Sequence, residues 1–184
     1  MEQPWRPTPD QIRAADGRKV PDVIGPDLKV LFCGINPGRY SGAVGHHFAR
    51  PGNRFWKALH AAGFTPRVLS PFEERALLDY GLGVTNLVER TTASAAELRG
   101  EELAEGARRL RRKVGRLRPE VVAMLGLTAF RTAFRRPAAR VGRQPDRLLS
   151  SLLWILPNPS GLNAHYQLGE LAGLFGQLRQ EVFE

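Results

Sequence analysis

The sequence predicts an α/β fold, a three-layer α/β/α sandwich with a short, mostly parallel central sheet. Three observations predict it. Apolar runs too short for helices and without polar alternation recur along the chain, as strands buried on both faces require. Segments of helical period separate them. Two of the runs break abruptly into Asn/Pro/Gly corners, "GINPG" at 34–38 and "LPNPSG" at 156–161.

Residues 1–27 are rich in proline and polar residues, so an N-terminal arm is expected, mobile or an irregular cap, with a short helix near 9–15; residues 28–184 form the single folded domain. "LKVLFCGI" (28–35) reads as a buried strand stopped by the first corner. In "NRFWKALHAAGF" (53–64), Phe55, Trp56, Leu59 and Ala62 share a helical face, with Asn53 as N-cap and Gly63 as stop. "SPFEERALLDYG" (70–81) predicts a helix, with proline at its first position and two glutamates in its first turn. "GVTNLV" (83–88) is a strand candidate. Residues 99–116 predict a charged helix with glutamates early and arginines late, in the order the helix dipole favours, and a solvated face. A strand at 119–125 ends at Gly126 and passes into a helix at 127–134. Residues 135–147 read as a basic loop, 151–156 as a strand entering the second corner, and 166–183 as an amphipathic helix.

Composition narrows the function. The 184 residues include 42% hydrophobic and 24% charged, ordinary for one globular domain. No apolar run approaches the ~18 residues that cross a bilayer, and the N-terminus has no signal-peptide core, so no membrane is expected. Cys33 is the single cysteine, which removes disulfides and cysteine-rich metal sites and favours a reducing cytoplasm. His46 and His47 are adjacent, a poor spacing for one metal, so no metal is expected. The net charge of +9 suits an anionic partner such as nucleic acid, although only four of the basic residues are lysine and such a bias also arises from genome composition.

In a parallel sheet the two corners fall at the carboxyl edge, where ligands bind. Neither is a phosphate cradle or a nucleophile elbow, and no carboxylate pair stands near either. By itself Asn36 could be a residue that tolerates a turn.

"GINPG" (34–38), "FARPGNRFW" (48–56) and "LPNPSGLN" (156–163), in this order, resemble the mismatch-specific uracil-DNA glycosylases, the group that includes thymine-DNA glycosylase. The likeness runs over about residues 28–180. It implies a uracil-DNA glycosylase-like fold and a monofunctional enzyme that flips uracil from G:U duplex DNA and hydrolyses its bond to the sugar, initiating base excision repair without a cofactor or metal. It implies that Asn36 positions water, that Phe48 stacks on the base, that backbone groups of Ile35 and Phe48 bind the uracil edge, and that Tyr40 and Ser41 control access for a thymine methyl. Gly161, Leu162 and Asn163 correspond to the DNA wedge, with Asn163 and backbone groups pairing with the widowed guanine, while Asn158, Ser160 and His165 lie where phosphate is contacted. Glu89, three residues past Asn86, is a candidate for a carboxylate that assists Asn36. The partner implied is double-stranded DNA containing uracil mispairs, met as a monomer in a bacterial-type cytoplasm, at the nucleoid. A non-catalytic nucleic-acid-binding domain of the same fold, or a small-molecule hydrolase or transferase, would share the corners.

Overall fold

Five short strands form one sheet in a computed structural model that describes residues 5–184; residues 1–4 of the expected arm lie outside the described residues. In chain order the strands are β1 (Val30–Gly34), β2 (Leu82–Asn86), β3 (Val121–Leu125), β4 (Gly142–Leu148) and β5 (Ser151–Leu156). Their spatial order is β2-β1-β3-β5-β4, with β2, β1, β3 and β5 parallel and β4 antiparallel to β5. Every residue of β1 and β3 is buried, which is why these strands read as unbroken apolar runs.

Successive side chains on β1 point to opposite faces and so enter different cores. Val30 and Phe32 join Phe55, Leu59, Leu171 and Phe175 on one side. Leu31 and Cys33 join Leu110, Val114, Met124 and Phe130 on the other. The first core is covered by α3 (Phe55–Ala61) and α6 (Leu168–Phe183), the second by α4 (Gly100–Leu117) and α5 (Leu127–Phe134). Burial drives the Cys33 thiol pKa far up, so it behaves as a small apolar group. Among the described residues no helix is long and apolar enough to cross a membrane.

The structure corrects several expectations. Half of the expected basic loop is β4, an edge strand with a register shift between Arg143 and Arg147. Pro145 lies inside that shift, where an edge strand tolerates a missing N–H, and only Leu148 of the strand is buried, so no apolar run marked it. Residues after the first corner wind into a short helix, α2 (Arg39–Val44), ended by Gly45 at φ 77. The segment expected as an α-helix at 70–81 keeps its early proline and glutamates, closed by a capping box between Ser70 and Glu73, but winds as consecutive 3-10 turns over Pro71–Tyr80.

The described part of the arm is fixed to the domain. It carries α1 (Pro9–Arg13), capped by Thr8, and then runs along the outer edge of β2, where Val23 and Val84 exchange hydrogen bonds of 2.9 and 2.8 Å. Thr91 binds it three times, accepting from Gly17 N–H, donating its own N–H to the Arg18 carbonyl and its hydroxyl to Ala15. Ala15, Val20 and Val23 are buried beneath it, so the segment is a cap on β2.

Candidate active site

At the carboxyl ends of the parallel strands lies a cleft of about 880 Å³, walled by both corners and floored by Leu125 and Gly126 at the end of β3. The chain leaves β1 toward β2 on one side and returns to β3 on the other, so the cleft occupies a topological switch point.

Asn36 is on the cleft wall, with its amide fixed from behind. Its Nδ2 donates to the Arg90 carbonyl at 3.0 Å, to Thr92 Oγ1 at 2.8 Å and, more weakly, to the Pro37 carbonyl at 3.3 Å. All three acceptors lie on its nitrogen side, so Oδ1 is the group left over, and no protein donor reaches it among the described residues. The loop that supplies Arg90 and Thr92 runs beside the corner, because Leu87 and Val88 donate to the Gly34 and Ile35 carbonyls.

Phe48 stands beside this corner in a left-handed backbone conformation, φ 52, which is costly for a bulky residue. Its ring packs 4.1 Å from that of Phe55, between centroids. The N–H groups of Ile35 and Phe48 find no acceptor among the described residues, which leaves two donors at the wall. Ser41 also lines the cleft and accepts from Ala49 N–H at 3.1 Å. Tyr40 does not line it: α2 turns successive side chains about 100° apart, so only one of the pair can face inward.

Glu89 is not a cleft residue either. The chain turns outward after β2 and the carboxylate pairs with Lys19 of the arm at 2.8 Å, 41% exposed. The Lys19 ammonium holds its pKa below the usual carboxylate range.

A pair the sequence did not mark shares the cleft with Asn36. Asn86, which the sequence marks only as lying three residues before Glu89, ends β2 in the cleft wall. His47 is buried, and its Nε2 lies 2.8 Å from the Pro21 carbonyl. A carbonyl only accepts, so Nε2 carries the proton and Nδ1 is left to accept from Asn86 Nδ2 at 3.3 Å. Burial, the largest influence, lowers the His47 pKa and favours this neutral ring. The Asn86 amide is thereby turned so that Oδ1 is its free acceptor. Gly34 makes room for it, since a Cβ there would collide with Asn86 Oδ1. The buried Glu74 carboxylate braces the same segment, accepting from His47 N–H at 2.8 Å and meeting His46 Nδ1 at 2.9 Å.

The second corner is a raised loop. Leu162 sits at its tip, 70% exposed, with Gly161 beneath it packed so closely on Gly52 that a Cβ would lie 2.7 Å from the Gly52 carbonyl. Asn158 Oδ1 accepts from Ser160 N–H at 3.0 Å, and Ser160 Oγ from Leu162 N–H at 3.2 Å. Asn163 is engaged at both ends: Nδ2 donates to the Asn158 carbonyl at 3.0 Å and Oδ1 accepts from His165 N–H at 3.3 Å. His165 is exposed on the rim. Asn53, expected as the N-cap, lies two residues ahead of the helix, where Arg54 holds the N-cap position; its Oδ1 accepts from Phe55 N–H at 2.9 Å, and it also lines the cleft. Among the described residues no three His, Cys, Asp or Glu side chains converge on a metal position.

A mostly parallel α/β sandwich with an amide-lined cleft at its switch point belongs to the class of open-sheet α/β proteins that bind ligands at the carboxyl edge. Residues 21–182 match the family model of the Uracil DNA glycosylase superfamily, and the chain belongs to that superfamily. The protein is therefore a DNA glycosylase, and DNA is its partner. Its fold is similar to a solution NMR structure from Methanosarcina acetivorans described as a "putative Uracil DNA glycosylase", with a TM-score of 0.59 at 18% identity over 89% of this chain and 98% of that one.

Proposed function

We propose that this glycosylase is monofunctional and removes uracil from G:U mispairs in duplex DNA. The observation that carries the reading is the Asn36 amide, whose nitrogen is committed to three acceptors and whose Oδ1 is free at the cleft wall. A base inside the duplex stack is out of reach of that wall, so the uridine must be flipped into the cleft. There Phe48 offers a face for stacking. The Ile35 and Phe48 N–H groups suit the uracil carbonyl oxygens, and Asn86 Oδ1 suits the N3–H of uracil. The neutral His47 tautomer thus favours a base that donates at this position.

Hydrolysis breaks the bond between C1′ and N1. The bonding pair leaves with the base, where backbone donors stabilise the anion, and the sugar becomes oxocarbenium-like. Asn36 Oδ1 accepts from a water and aims its oxygen at C1′. An amide orients that water but does not take its proton, which passes to solvent or to the departing uracil. Glu89 is ion-paired outside the cleft and supplies no base, so a slow enzyme is expected. Among the described residues no lysine lines the cleft, which accords with hydrolysis to an abasic site rather than imine formation and strand cleavage. Leu162 is the residue that would fill the gap in the stack. Because the Asn163 side chain is engaged within its loop, the backbone of 161–164 is the better candidate for contact with the widowed guanine.

A duplex with one G:U pair tests the reading. Free uracil and an alkali-labile site are expected, with slower release from A:U. Specific binding without release would instead favour a non-catalytic DNA-binding domain.

A further inference from the structure

We infer that Arg54 is the positioning residue for DNA insertion: it holds the 159–166 loop in shape through main-chain carbonyls, and it makes no phosphate contact. This rests on the base-excision reading above. An arginine beside a DNA-inserting loop in a protein of charge +9 would ordinarily be assigned to the phosphate backbone. Its hydrogen bonds point elsewhere.

The half-buried Arg54 side chain reaches four carbonyl oxygens of this one loop. Nε donates to Pro159 at 3.3 Å; one terminal nitrogen donates to Ser160 at 2.7 Å and Asn163 at 3.0 Å; the other donates to Tyr166. Its own backbone N–H donates to Pro159 at 3.0 Å. No carboxylate lies within ion-pair distance of it among the described residues. The guanidinium fork is therefore filled by neutral acceptors at both ends of the loop, and such charge-assisted bonds are the stronger kind.

The loop's remaining hydrogen bonds are local. They run between Asn158, Ser160, Leu162, Asn163 and His165 and shape its turns without tying it to the domain. At its ends the loop is seated by buried Pro159 and by Tyr166, which packs on the core; between them its ties to the body are the Arg54 hydrogen bonds and the contact of Gly161 with Gly52, two residues before Arg54. An exposed leucine can be driven into a base stack only if the backbone beneath it does not yield. Arg54 supplies that resistance. Lysine, with one nitrogen, cannot span carbonyls from 159 to 166 at once.

Arg50 offers the contrast. It lines the cleft at an exposed position and has no ion-pair partner among the described residues, so its guanidinium is free to meet phosphate.

The test uses the full chain with Arg54→Gln, Arg54→Lys and Arg50→Gln. Amide hydrogen exchange in the free protein should speed up about tenfold or more across 159–166 in Arg54→Gln while the sheet amides keep their protection. With 2-aminopurine beside a G:U pair, the flipping signal and single-turnover uracil release should fall about 10- to 100-fold, the scale set by a misplaced positioning element. Arg54→Lys should recover part of both. The dependence of log affinity on log salt should be unchanged at Arg54, whereas Arg50→Gln should lower its slope by about one. Unchanged exchange in the loop, or a slope lowered by about one in an Arg54 variant, overturns the inference. If Arg54→Gln does not fold, Arg54→Lys carries the same measurements. If the wild-type protein releases no uracil from any duplex, the excision reading fails, while loop exchange in the free protein still decides the clamp.

Discussion

The two corners at the sheet edge begin alike and end as opposites. Each follows a buried parallel strand, and each is punctuated by asparagine, proline and glycine. At the first, the chain sinks among neighbours, and a single amide is held by the Arg90 and Pro37 carbonyls and the Thr92 hydroxyl. At the second, the chain rises into solvent, is braced from below by one guanidinium and lifts Leu162 to 70% exposure. A group that must aim one water needs its own side chain immobilised. A group that must enter a base stack needs a free side chain on an immobilised backbone. The same turn chemistry provides both, and the surroundings decide which.

Four measurements would break or sharpen that contrast. The largest effect is expected at the first corner. Asn36→Ala should lower single-turnover uracil release about 10²- to 10³-fold, comparable to removing one preorganised catalytic dipole, with duplex affinity retained. Equal activity in that variant would take the water from Asn36. Next is Leu162→Ala, expected to lower flipping about tenfold while leaving Tm within a degree or two, because the side chain is already solvated. A large fall in Tm would make Leu162 part of a core and end the contrast.

The third concerns pH. Burial lowers the His47 pKa, so the folded protein keeps this ring neutral at pH values where the unfolded chain, near 6.5, takes up a proton. The unfolded state then binds more protons, so stability should fall as pH drops below about 6.5 and level off beneath the folded value. His47→Gln should flatten that part of a Tm–pH profile. If the two profiles run parallel, His47 does not titrate as its surroundings demand. The smallest effect is expected from Glu89→Gln, within about twofold in excision rate, since its carboxylate faces Lys19 and solvent. A collapse of activity there would restore the assisting base that the geometry denies.

The parallel strands, their order along the chain and both corners were legible in the sequence, because residues buried on both faces leave apolar runs and a sharp exit leaves proline and glycine. β4 was not legible: it lies at the sheet edge with polar, solvated side chains, and nothing in Gly142–Leu148 separates it from a loop. The arm's attachment was hidden because much of it is main-chain bonding to Thr91 and Val84, which carries no residue signature, and its side-chain ties, such as Lys19 to Glu89, join positions far apart in the chain.

The sequence by itself determined the α/β class, the two corners and the amide at Asn36. These depend on local backbone chemistry and on burial, and both are written in short windows. Tertiary structure alone decided what each polar side chain does. Asn36 meets Thr92 across 56 residues and Arg54 meets Ser160 across 106, so their partners appear only when the sheet brings distant segments together. Glu89 faces out and Asn86 faces in for the same reason. A side chain's donors and acceptors are fixed by its type, but the direction in which they are satisfied is fixed by its neighbours.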